Sequence, residues 1–131
     1  AIAEFTRAVA SLIFLINRPT AVGYLPYYKW QFAALRTLRQ RMLSRLTDVA
    51  SQLSDVLRLA SAACFGGAGF GEGGKGAAPA AEEVQHVIEE ICAAILREIT
   101  RMGWTSSSDP FLEHQRVHVS ARINNEWLRS L

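Results

Sequence analysis

Cysteine is scarce in this sequence: Cys64 and Cys92 are the only two in 131 residues. That excludes the cross-linked scaffold of a small secreted domain and points to the cytoplasm. Cys92 falls inside an apolar helical pattern, where a small buried residue is the ordinary role. Long hydrophobic runs are also missing. The longest, Ala8 to Ile16, follows Glu4 and Arg7 and is about half of the twenty residues a membrane helix needs. A basic start with a small-residue cleavage site is lacking, which argues against a secretory signal. No segment alternates apolar and polar residues long enough to read as a strand. The chain starts Ala-Ile-Ala-Glu-Phe, without methionine and already in helical phase. A fragment of a longer protein is expected, or numbering that begins at the first ordered residue.

Chemistry-bearing patterns are equally sparse. No serine or cysteine stands in a recognisable nucleophile context. Glu89 and Glu90 are adjacent, so they diverge on a helix and read as a solvated face rather than a paired acid and base. His114 and His118 are four apart and share a helix face. The zinc-protease pattern needs glutamate directly after the first histidine, where this chain has Gln115. Glu113 points elsewhere, and no metal site is expected. Neither a catalytic residue nor a cofactor is assigned to this chain.

What is present is half apolar and one-fifth charged, the balance of a globular protein. The length suits one domain, residues 1–131. Such a chain buries roughly two-thirds of its unfolded surface and needs no disulfide or metal to fold. Ile2, Phe5, Val9, Leu12 and Ile16 recur at helical spacing, so residues 2–16 read as a first helix. Asn17-Arg18-Pro19-Thr20 ends it, and Pro26 suits the first position of the next. Tyr28, Phe32, Leu35, Met42, Leu46, Val49, Leu53, Val56 and Ala60 then form a heptad-type stripe. It permits one helix over 27–60, or two that keep phase across a bend, with Thr37 to Gln40 as the place for a kink.

Residues 65–79 hold seven of the nine glycines, with several alanines, and read as a flexible loop. A Gly-x-Gly-x-x-Gly match can be found at Gly69 to Gly74. No strand precedes it and no Walker-type Gly-Lys-Ser/Thr follows, so it reads as a linker rather than a phosphate loop. Val84, Ile88, Ile91, Ile95, Ile99 and Met102 mark a helix over about 80–102. Glu82 and Glu83 favour its start, Arg101 its end, and Gly103 stops it. Ser106 to Asp109 cap a last helix with Pro110 at its first position. That helix runs to the C-terminus with Leu112, Val119, Ile123 and Trp127 inward. The expected fold is all-α, an antiparallel bundle of four to five helices with the Gly-rich loop between the third and fourth.

Charge and aromatic rings are concentrated in one place. All three tyrosines, Tyr24, Tyr27 and Tyr28, lie in the segment Tyr24 to Phe32 with Trp30. Between Asn17 and Thr47 there are six basic residues and no acidic one: Arg18, Lys29, Arg36, Arg39, Arg41 and Arg45. The net charge of +2 thus divides into +5 over residues 1–60 and −3 over 61–131. Such a field attracts anions, although a solvated helix face paired with the acidic second half accounts for the same distribution. On a helix opening at Pro26, Lys29, Ala33, Arg36 and Gln40 share a polar stripe, while the rings pack mainly into the bundle, Phe32 above all. Lys29 flanked by rings is suited to binding an anion over an apolar floor. Tyr24, Tyr27, Lys29, Trp30 and Arg36 are therefore the ligand-binding candidates. The modest pI and the acidic second half disfavour single-stranded nucleic acid as the ligand.

Asn17, the run Tyr24-Leu25-Pro26-Tyr27-Tyr28-Lys29-Trp30-Gln31-Phe32-Ala33-Ala34-Leu35 and the late Asp109-Pro110-Phe111-Leu112 helix resemble the bacterial helical domain of unknown function 4037. About twelve residues carry the specific part of that resemblance. In that family the helical domain usually follows a small nucleotidyltransferase-fold domain. The resemblance implies a non-catalytic accessory domain that forms part of a nucleotide or acceptor pocket. The Gly-Ser turn and Asp-x-Asp metal pair of the catalytic half are absent here, so they would lie outside these residues. An insertion from Arg18 to Gly23 and the long glycine loop depart from the family pattern. The implied partners are an N-terminal nucleotidyltransferase domain and a nucleotide. The alternative expectation is a helical interaction module that forms a homodimer or docks a protein partner, with no membrane association.

Overall fold

The structure, a computed structural model, describes residues 1–17, 27–40, 44–65 and 77–129. Its elements are α1 (Ile2–Ile16), a 3-10 turn (Tyr28–Trp30), α2 (Gln31–Arg39), α3 (Thr47–Phe65), α4 (Ala77–Arg101), α5 (Leu112–Ser120) and α6 (Glu126–Arg129). The chain is all-α, with no strand among the described residues. Two compact units divide within α4, residues 1–88 and 89–131.

In the first unit α1, α2 and α3 pack against one another. The buried face of α1 is Thr6, Val9, Ala10, Ile13, Phe14 and Ile16. The expected positions Ile2, Phe5 and Leu12 are only half-buried, and Leu15 is exposed. Small Ala10 and Thr6 lie on the buried face, and Thr6 satisfies its hydroxyl by donating to the Ile2 carbonyl, at 2.8 Å. Leu35 and Leu38 supply the buried side of α2. Val49, Leu53, Val56 and Leu59 supply that of α3, three of them from the heptad-type stripe.

The span 27–60 is two helices, not one. Pro26 lies outside the described residues, and the backbone after it enters a 3-10 turn in which Trp30 N–H donates to the Tyr27 carbonyl, at 2.8 Å. A tight first turn delays α2 to Gln31. Helix α2 stops at Arg39, inside the expected kink, and α3 opens at Thr47. Just before it, Leu46 takes a left-handed backbone with φ 56°, which a continuing helix cannot contain.

Asn17 connects this break to α1. Its Nδ2 donates to the carbonyls of Ile13, at 2.8 Å, and of Arg45, at 2.9 Å. Its Oδ1 accepts the Arg45 N–H, at 2.6 Å. One side chain thus bonds an end of α1 and both backbone groups of Arg45.

The ends of the expected 65–79 loop are helical. Phe65 closes α3, and residues 77–79 already belong to α4; residues 66–76 lie outside the described residues. Pro79 fits because the first turn of a helix has no use for its missing N–H. Glu82 and Glu83 therefore stand beyond the first turn of α4 rather than at its start.

In the second unit α4 ends as its sequence indicates. Gly103 has φ 72°, its N–H donates to the Thr100 carbonyl, and Trp104 N–H donates to the Ile99 carbonyl, both at 2.9 Å. This is a Schellman closure. The last helix starts later than expected, at Leu112. Pro110 precedes it, and Phe111 is extended at φ −78°, ψ 113°. The helix also breaks at 121–125 before α6, where Asn124 and Asn125 favour local turns over helix. Trp127, expected inward, is exposed, and Leu112, Val119 and Ile123 are half-buried.

Candidate functional site

The aromatic–basic segment takes its position from one buried amide. Gln31, the first residue of α2, is buried, and its Nε2 donates to the Ser11 hydroxyl of α1, at 3.1 Å. This bond fixes the entry to α2 against α1, and Leu35 and Leu38 hold the rest of the helix down. Tyr27, Lys29 and Trp30 lie on the exposed side.

Tyr27 is 60% exposed and Trp30 68% exposed. The expectation that these rings mainly fill the bundle is incorrect for both. The 3-10 turn rotates Trp30 off the face that carries Leu38. Phe32 is half-buried, and Tyr24 lies outside the described residues. Lys29, Ala33, Arg36 and Gln40 are all exposed, so the expected polar stripe exists. The structure gathers Tyr27, Lys29 and Trp30 in one turn, with Arg36 further along α2. An exposed tryptophan beside cations offers a flat ring face and positive charge to an anionic, planar ligand.

A second polar cluster lies between α4 and α5, in the segment expected to cap the last helix. Thr105 Oγ1 accepts the Ser107 N–H at 3.1 Å, Ser107 Oγ accepts the Asp109 N–H at 3.2 Å, and Asp109 Oδ1 accepts the Phe111 N–H at 2.9 Å. Three successive two-residue side-chain turns thus lead the chain into α5. The cluster rests on Gln115, which is buried. Its Oε1 accepts the Thr105 hydroxyl at 2.6 Å, and its Nε2 donates to the Asp109 carbonyl at 2.7 Å. His114 Nδ1 meets Asp109 Oδ2 at 2.7 Å. The Phe111 N–H, then the His114 side chain, hold the Asp109 carboxyl below its ordinary value, with a smaller contribution from His118. The sequence signal for this cluster was the every-second-residue spacing of Thr105, Ser107 and Asp109.

Two other groups have structural accounts. Glu98, buried in the last turns of α4, receives Arg101 Nη2 at 2.6 Å and Arg101 Nε at 3.1 and 3.2 Å. This pairing raises the Arg101 guanidinium further above its ordinary value. Cys92 is half-buried, and burial, then Glu89, push its thiol up, so it is a protonated packing group at neutral pH. Among the described residues no helix is long and apolar enough to cross a membrane.

Comparison with protein-family models, with curated proteins and with solved structures finds no match to this chain.

Proposed function

We propose that this chain is a non-catalytic helical accessory domain of a nucleotidyltransferase-like protein, in which the aromatic–basic segment binds a phosphate-bearing ligand. The observation that carries the reading is the exposure of Tyr27, Lys29, Trp30 and Arg36 within a stretch that has six basic residues and no acidic one. Lys29 and Arg36 contribute charge for phosphate, Trp30 and Tyr27 contribute ring faces for a base, and Tyr24 belongs to the same segment. The catalytic carboxylates belong to a separate N-terminal domain in this reading, and the protein is cytoplasmic. The antiparallel bundle of four to five helices is part of the same proposal, supported by the mutual packing of α1, α2 and α3.

Calorimetric titration of ATP into the wild-type protein and into Lys29→Ala and Arg36→Ala tests it. The expected result is weak, salt-sensitive binding that each substitution reduces several-fold. Absence of binding to the folded wild-type chain removes a self-contained nucleotide site.

A second reading is a protein-interaction or dimerisation module. Its support is the number of large apolar side chains left exposed: Leu15, Tyr27 and Trp30 in the first unit, and Phe111, Val117 and Trp127 in the second. Light scattering across a concentration series separates the readings. A homodimer that dissociates in Trp30→Ala supports the second, and a monomer at every concentration counts against self-association.

A further inference from the structure

His114 and His118 both lie in α5, four residues apart and exposed, so they share one face of the helix. What distinguishes them from two surface histidines is Asp109. Its Oδ2 lies 2.7 Å from His114 Nδ1. A carboxylate accepts, so this pairing favours the tautomer with the hydrogen on Nδ1, which leaves the lone pair on Nε2. Histidine ligands of metals characteristically donate their other N–H to a carboxylate, which orients the ring and raises its basicity.

Asp109 is itself held in place. Its Oδ1 accepts the Phe111 N–H, and its backbone carbonyl accepts Gln115 Nε2. The Phe111 ring lies 5.5 Å from the His114 ring, tilted by 46°. His118 occupies the last turn of α5, the negative end of the helix dipole, which favours a cation.

We propose that His114 Nε2 and His118 form a surface site for a divalent transition-metal ion that prefers imidazole, with Asp109 as the positioning residue. Nickel, copper and zinc have that preference; magnesium and calcium, which demand oxygen ligands, do not. Among the described residues no set of three or more His, Cys, Asp or Glu side chains is placed to hold a metal. The described residues thus contribute two imidazoles, and water would complete the coordination. The site is exchangeable and open to a further ligand, unlike a closed structural zinc centre.

The test is calorimetric titration of Ni²⁺ into the untagged full chain, with Mg²⁺ as the control ion. The expected result is one Ni²⁺ per chain and no Mg²⁺ binding. His118→Ala leaves the Asp109–His114 pair intact and should weaken Ni²⁺ binding at least tenfold. Asp109→Asn retains an acceptor for Phe111 and should weaken it about 10–100-fold. His86→Ala and Cys92→Ser should leave it unchanged. Circular dichroism melts establish that each variant is folded. Nitrogen-correlated NMR of the His114 ring should show hydrogen on Nδ1 in the wild type and loss of that tautomer preference in Asp109→Asn, a signature that a merely structural Asp109 would not move. Unchanged Ni²⁺ affinity in His118→Ala overturns the site, as does an equal loss in His86→Ala or Cys92→Ser. Unchanged affinity in Asp109→Asn overturns the role given to Asp109.

Discussion

At the scale of single residues, short polar side chains account for more of the architecture than the rings that dominate the sequence. Asn17 serves the end of α1 and both backbone groups of Arg45. Removing its side chain deletes three hydrogen bonds at a solvent-accessible junction, so Asn17→Ala should cost about 1 kcal/mol in urea unfolding. Gln115 is the only buried residue of α5. Truncating it leaves the Thr105 hydroxyl and the Asp109 carbonyl without their partner, and Gln115→Ala should destabilise by about 2–3 kcal/mol. Neither residue advertises this role in the sequence. An asparagine before a proline-containing turn, or a glutamine amid charged helix residues, is ordinary until the chain folds back on it.

Asp109 carries a pH dependence whose sign follows from its lowered carboxyl. The folded state favours the ionised form relative to the unfolded chain. Its contribution is complete above the ordinary carboxylate range and is lost as pH falls through the lowered folded value. Wild-type protein should therefore melt above Asp109→Asn at neutral pH, and the difference should close in acid. A melting-temperature series from pH 7 to pH 2 measures it. A difference that stays constant to the lowest pH would show that the Asp109 charge contributes nothing.

At the scale of elements, termini were legible where one residue type has no substitute. Gly103 is such a case. Its φ of 72° suits glycine, and a Cβ added there meets no atom within 4 Å. Gly103→Ala should thus cost about 1 kcal/mol through backbone strain alone, read as a lower melting temperature with unchanged helix content. Helix α1 kept its expected bounds because Asn17 terminates it locally. The junction between α2 and α3 was less legible. Neither Gly nor Pro marks it, and the apolar stripe keeps helical phase through Leu46 even though that residue is left-handed. Hydrophobic periodicity records which side chains are apolar. It does not record that the backbone reverses its handedness between two of them.

At the scale of the molecule, the three-helix packing of the first unit rests on fully buried aliphatic side chains. Leu53, with no exposure at all, sits on the face of α3. Leu53→Ala should cost about 3 kcal/mol or more, depending on how far its neighbours close the cavity. Lys29→Ala and Arg36→Ala should leave the melting temperature within a degree or two, since exposed substitutions away from packing change stability by at most about 0.5 kcal/mol. That separation lets a loss of nucleotide binding be assigned to the segment rather than to unfolding.

The candidate site was only half readable. Clustering of rings and cations between Tyr24 and Arg36 is a matter of sequence alone. Which rings turn outward is not, since Trp30 and Leu38 would share a face on a regular helix. The 3-10 turn and the Gln31–Ser11 bond give them opposite fates, with Trp30 exposed and Leu38 buried. The polar cluster at Thr105, Asp109, His114 and Gln115 joins positions up to ten residues apart, on an extended loop and on a helix.

By itself the sequence determined the all-helical class, the bounds of α1, the Schellman stop at Gly103 and the uneven distribution of charge. These depend on local periodicity, on backbone preferences and on composition, which act over a few residues. Tertiary structure alone decided which face of α1 is buried, where α2 gives way to α3, and the exposure of Tyr27 and Trp30. Those outcomes arise from competition between local preference and contacts made by distant side chains. Asn17 reaching Arg45 across 28 residues is a contact that no local rule specifies.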